Sequence, residues 1–203
     1  MRNLPVFVPV ERKIKNMKYP VTVYGDPLLR KKAKTIEKDH KELNEIIANM
    51  WETMYHSDGV GLAAPQVGLS IRLFVVDASS GADEEPELKD FKKVFINPEI
   101  IETFGEKWEM NEGCLSLPEI REDVVRPDGV RIKYQDENFV SHEEEFRGFA
   151  GRIIQHEYDH LEGILFIDYL SPLRKRLLKS KLRNIASGKV QPHYRIKIPA
   201  KSV

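Results

Sequence analysis

The chain has 203 residues with 32 basic and 32 acidic side chains, so its formal net charge is zero. Hydrophobic residues make up 41% and charged residues 32%, which reads as one soluble, globular domain large enough to bury a core. A lone cysteine, Cys114, excludes an internal disulfide and favours a reducing compartment, and no apolar run approaches the ~20 residues of a membrane span.

Residues 1–16 read as an N-terminal extension without the order of a signal peptide, and Met17 is an alternative start. The reading is therefore a cytoplasmic protein. Residues 27–30 (Pro-Leu-Leu-Arg) suggest an irregular, exposed arm. The pattern over 41–56 predicts a helix, because Leu43, Ile46, Ile47, Met50 and Met54 form one stripe of a 3.6-residue period. Asp58-Gly59 ends it, and a glycine-rich segment, 59–68, follows. Residues 71–77 read as a buried strand and 78–92 as an acidic surface loop. Short strands are expected at 94–96, 100–104, 106–110, 130–134 and 139–146, separated by turn signals at Pro98, Pro118, Pro127-Asp128-Gly129 and Asp136-Glu137-Asn138. Helices are predicted at 148–161, ended by Gly163, and at 172–186. Strands between helices without regular alternation indicate an α+β fold, mainly antiparallel, with the 148–161 helix central. From Ser171 onward there are ten Lys or Arg and no Asp or Glu, so the last helix and the tail, 186–203, are basic. Such a surface suits contact with nucleic acid, or is simply a solvated face.

The sharpest local feature is His156-Glu157-Tyr158-Asp159-His160. Residues four apart share one helix face, so two imidazoles can grip one metal while the adjacent glutamate reaches its water. Two surface histidines on an amphipathic helix would look the same. A catalytic metal takes a third protein ligand and leaves one position open. Downstream, Phe166 stands where a further histidine would be needed, no Glu follows Glu162, and Asp168 is the only later carboxylate. The remaining candidates lie upstream, where Cys114 is the only thiol, in a loop-like context. His40, His56, His142 and His193 lack ligand spacing to one another.

Three segments, in order, carry a resemblance: Gly59-Val60-Gly61-Leu62-Ala63-Ala64-Pro65-Gln66, Glu112-Gly113-Cys114-Leu115-Ser116-Leu117-Pro118, and Gln155 through Gly163. Together they resemble the signature motifs of the peptide deformylases. The resemblance spans roughly residues 17–185, with 78–92 looking like an insertion at the surface. It implies that Cys114, His156 and His160 bind one divalent metal, with water in the fourth position. The ion implied is Fe²⁺ in the cell, with Zn²⁺, Ni²⁺ or Co²⁺ able to replace it. The implied reaction removes the formyl group from the N-terminal formyl-methionine of nascent chains.

Glu157 would then be the general base, passing its proton to the leaving amine. The resemblance gives the developing oxyanion to the Gln66 side-chain amide and the Leu115 backbone N–H. It gives the methionine pocket to Val60, Glu112, Phe149 and Ile153. Phe149 and Ile153 also share the metal-facing side of the helix, although core packing would explain them equally. Gly61 would allow close approach of the peptide, and Glu119 and Arg121 would stand near the cleft. The expected molecule is a monomer that touches the ribosome transiently through its basic C-terminal helix. The main alternative is a zinc endopeptidase. A binding module with a structural zinc site is another, opposed by the single cysteine and by Glu157 inside the helix motif.

Overall fold

In the computed structural model, residues 17–200 are described. The chain runs β1 (Val21–Thr22), α1 (Leu43–His56), β2 (Gly61–Ala63), β3 (Leu73–Asp77), β4 (Lys92–Gly113), β5 (Arg121–Gln135), β6 (Ser141–Phe146), α2 (Gly148–Leu161), α3 (Pro172–Ala186) and β7 (Ile196–Lys197). A five-stranded sheet of order β2-β3-β4-β5-β6 is antiparallel throughout, and β1 pairs with β7 in parallel. The α+β architecture expected from the sequence is the one observed.

Strand β3 explains why its sequence is an unbroken apolar run. Phe74 and Val76 point to one face, where they join Ala63, Phe95 and the α2 residues Ile153, Ile154 and Leu161. Leu73 and Val75 point to the other, where they join Val94, Ile96 and the α1 stripe Leu43, Ile47, Met50 and Met54. A strand covered by a helix on each side has no polar face to alternate with. Helix α2 is buried along almost its whole length, and this holds the His-Glu-x-x-His segment at the centre of the molecule. A third cluster packs Leu178 and Ile185 of α3 with Val23, Leu117, Ile120 and Leu165, and Cys114 and Ile196 border it.

Three expectations change. The strands expected at 94–96, 100–104 and 106–110 are parts of one long strand, β4. Pro98 does not end it, because the pairing slips beside it, between Ile96 and Glu99, where the missing N–H is not needed. Likewise Pro127-Asp128-Gly129 is no turn. It runs through β5 opposite a bulge at Gly105-Glu106, where Gly105 takes φ +80°. Residues 27–30 form a 3-10 turn capped by Asp26, with Leu29 buried, so the arm is not wholly exposed.

The acidic segment 78–92 also does more than cover the surface. It folds into two 3-10 turns, buries Leu88, and presents the Glu85 carboxylate to the start of α2. There the Phe149 N–H donates to Glu85 Oε1 at 2.9 Å, and the Gly148 N–H donates to Asp128 Oδ1 at 3.2 Å. Helix α2 has no capping side chain of its own, so these distant carboxylates satisfy its first free donors. Strands β1, β2 and β7 were not expected. Each is two or three residues long, too short for periodicity to register.

Candidate active site

Helix α2 stacks His156 and His160 one turn apart, their ring centroids separated by 5.2 Å. Cys114 opens the loop that joins β4 to β5 and meets them from the opposite side. Its Sγ lies 3.2 Å from His160 Nε2, and one ligand atom from each of the three residues lies within 4.8 Å of the others. Ligands around a tetrahedral ion with bonds of ~2.0–2.3 Å would stand about 3.3–3.8 Å apart, so the cluster fits a metal after small adjustment. Among the described residues, no other group of His, Cys or carboxylates meets the same test.

The electrostatics fit as well. Burial pushes His160 well below the ordinary imidazole value and the charge of His156 adds to this, favouring the neutral ring that ligates metals. At His156 burial also opposes charge, but hydrogen bonds to Cys114 and Glu112 outweigh it and raise the group. A cation seated between these partners would answer the same pull.

Glu112 explains the orientation of His156. Its Oε2 lies 2.9 Å from His156 Nδ1, leaving Nε2 for the metal. The carboxylate is only 6% exposed and is held from behind by Arg126 Nε at 2.7 Å and Arg152 Nη1 at 3.0 Å. Burial alone would raise it, yet the bonds from His156 and Arg126 keep it well below the usual carboxylate range. Glu112 thus borders the cavity with its charge already engaged by protein groups. Arg126 continues the network to Asp159 at 2.6 Å, and Asp159 also accepts from the Tyr169 hydroxyl at 3.1 Å. Sequence reading missed Arg126, Arg152, Asp159 and Tyr169, because their partners lie 10–44 positions away.

Glu157 projects from the same helix into the cavity. It is 4% exposed, its Oε2 has no hydrogen-bond partner, and burial pushes it up to about 7. Gly61 makes room for it: a Cβ there would fall 2.6 Å from Glu157 Oε1 and 2.8 Å from Ile153 Cγ2. The close approach expected at Gly61 is therefore first an approach to Glu157. Gln66 is buried in the 3-10 turn after β2. Its Oε1 accepts from the Ala63 N–H at 2.7 Å, which turns Nε2 toward Cys114 Sγ, 3.5 Å away. Leu115 follows Cys114 in the β4–β5 loop, and its carbonyl accepts from the Tyr194 hydroxyl at 2.9 Å.

These groups share one cavity of about 450 Å³. Val60, Phe149 and Ile153 form an apolar recess beside Glu157, and Glu119 and Arg121 stand at the rim. Arg121 is braced across the hairpin by Asn111, through Nε to Oδ1 and Nη2 to the carbonyl, both at 2.8 Å. Of the residues given metal, catalytic or substrate roles from the sequence, all line this cavity except His160, which reaches it through its contact with Cys114. Tyr194 also lines it and was not anticipated.

The polypeptide deformylase family model matches residues 18–176. A peptide deformylase of Christiangramia forsetii is 56% identical over 187 residues, covering 89% of this chain and 95% of the relative. One of Flavobacterium psychrophilum is 52% identical, covering 90% and 97%. The crystal structure of a peptide deformylase from Legionella pneumophila superposes with a TM-score of 0.75 at 37% identity, covering 85% of this chain and 98% of that one. The Thermotoga maritima structure gives 0.69 at 46% identity, covering 77% and 99%. With this metal-binding geometry at its centre and these relatives over most of its length, the chain belongs to the polypeptide deformylase family.

Proposed function

We propose that Cys114, His156 and His160 hold a divalent metal beside Glu157, and that the four together hydrolyse the formyl amide of N-formyl-methionyl nascent chains, releasing formate. The observation that carries this is the meeting of one thiol and two imidazoles next to a buried carboxylate whose Oε2 has no hydrogen-bond partner. A divalent ion held there supplies acidified water and a Lewis acid.

The rest is work for the chain's own side chains. Glu157, poised near 7 by burial, accepts the water proton and returns it to the amine that leaves. The Gln66 Nε2–H and Leu115 N–H donate to the oxygen that gains charge during attack. Fixing Gln66 through Ala63 means no reorganisation is needed at that moment. Val60, Phe149 and Ile153 receive the methionine side chain, while Glu112 orients His156 and Arg121 borders the path of the peptide.

We assign Fe²⁺ as the ion used in a bacterial cytoplasm, and read the molecule as a monomer, which light scattering of the metal-loaded protein checks. Residues 17–185 form the catalytic domain in this reading. The endopeptidase alternative is not favoured, since the third ligand comes from an upstream thiol rather than from a downstream residue. Formate release from formyl-Met-Ala-Ser by wild type and Glu157→Ala, both loaded anaerobically with Fe²⁺, is the test. Wild type should turn over, and the variant should keep its metal and lose activity by about 10²-fold or more. A metal-loaded wild type that releases no formate but cleaves casein would replace this reading with the endopeptidase.

A further inference from the structure

The C-terminal segment returns to the active site after α3. The Val21 N–H donates to the Arg195 carbonyl at 2.8 Å, and Ile196–Lys197 then pair with Val21–Thr22. This docking carries the two preceding residues to the mouth of the cavity. Tyr194 lines the cavity and donates its hydroxyl to the Leu115 carbonyl at 2.9 Å. The His193 ring packs edge-on against that of Tyr194, with 5.2 Å between centroids, and its Nε2 lies 3.3 Å from Asp58 Oδ2. The two rings thus stand together where the Leu115 loop meets the Asp58-Gly59 loop, at a point where a Cβ on Gly59 would fall 3.1 Å from Leu115 Cδ1. Both residues lie outside the span matched by the family model, 18–176.

Under the deformylase reading, on which this inference rests, the substrate's orientation follows. The formyl group sits at Cys114, His156 and Glu157, and the methionine side chain enters the recess of Val60, Phe149 and Ile153. The chain beyond methionine must leave through the mouth, where Asp58 and Glu119 are exposed and Tyr194 is half-buried. We propose that Tyr194 is a positioning and specificity residue of the reaction. Its hydroxyl holds Leu115, and so the N–H that faces the oxyanion, while its ring is the wall against which the peptide beyond methionine lies.

The test uses the metal-loaded full chain with Tyr194→Phe and Tyr194→Ala. Formate release is measured on formyl-Met-Ala-Ser and on formyl-methionine amide, which has no residue beyond methionine. Binding of the product peptide Met-Ala-Ser is measured separately by calorimetry. Tyr194→Phe should lower kcat about three- to tenfold on both substrates with KM unchanged, the range carried by one hydrogen bond between neutral groups. Tyr194→Ala should in addition raise KM several-fold for the tripeptide but not for the amide, and weaken Met-Ala-Ser binding to match. Metal content and Tm should stay at wild-type values. Wild-type kinetics in both variants would overturn the proposal. So would equal losses on both substrates that track metal content or Tm, since those would describe a structural anchor alone. If wild type releases no formate from either substrate, the deformylase reading falls. Calorimetry then still decides the peptide contact, and unchanged Met-Ala-Ser binding in Tyr194→Ala would reject it.

Discussion

At the scale of single residues, Glu112 has the most interactions to lose. One carboxylate serves His156, Arg126 and Arg152, all in a buried setting. Glu112→Gln keeps the shape and removes the charge, leaving the buried Arg152 without its anion and Arg126 with Asp159 alone. Breaking a buried pair in this way costs about 3–5 kcal/mol. Loss of the carboxylate behind a ligating imidazole weakens metal affinity about 10–100-fold. Both outcomes are expected together, in chemical denaturation of the metal-free protein and in chelator competition of the loaded one. Unchanged metal affinity would mean that Glu112 serves folding alone. Some of this neighbourhood was legible in the sequence and some was not. His156 and His160 follow from helical spacing, because four residues is a local fact. Cys114 was one upstream candidate among several until its motif was recognised. Gln66 and Leu115 had no signal beyond that resemblance, since a glutamine in a turn is unremarkable without its partners. Arg126, Arg152 and Tyr194 were unreadable, because each acts on a residue more than ten positions away, through pairing that only the folded sheet and tail create.

At the scale of elements, the acidic segment 78–92 and helix α2 behave as a unit. Glu85 stands in for the capping residue that α2 lacks. Glu85→Ala should therefore destabilise the protein by about 0.5–2 kcal/mol. Thermal unfolding checks this, and an unchanged Tm would leave Asp128 as sufficient cap. The helices were readable nearly to the residue because their apolar stripes or flanking signals are strong. Strand β4 was not, because proline and glycine mark turns in isolation, and only pairing across the sheet converts those marks into bulges. Helix α3 is the basic element expected from the sequence to touch the ribosome. Arg174 is committed to Glu122 at 2.8 Å, while Arg176, Lys179, Lys181 and Arg183 stand on the exposed side. Replacing these four with Gln should reduce ribosome co-sedimentation at low salt while activity on a short peptide persists. Co-sedimentation equal to wild type would remove the idea. Deleting the whole segment would not be a clean test, because Tyr194 would go with it.

At the scale of the molecule, burial sets both the chemistry and its weakness. The core packs along α2 and desolvates Glu157. The thiol of Cys114 remains partly accessible from the cavity. An iron-loaded site of this kind exposes a ligating sulfur to dissolved oxygen. Fe-loaded protein should lose activity in air faster than Ni-loaded protein, followed as formate release against time with sulfur oxidation read by mass spectrometry. Equal decay would count against a ligating role for Cys114.

The parallel pairing of β1 with β7 sets an order of assembly during synthesis. Chains fold from the N-terminus as they emerge. A nascent copy can close its sheet and gather Cys114, His156 and His160 while Tyr194 is still waiting to appear. The mouth of its cleft is finished only when Ile196–Lys197 dock beside Val21–Thr22. Until that pairing forms, the Tyr194 hydroxyl has no hold on the Leu115 carbonyl, so the loop that carries Cys114 is the last part of the site to be fixed.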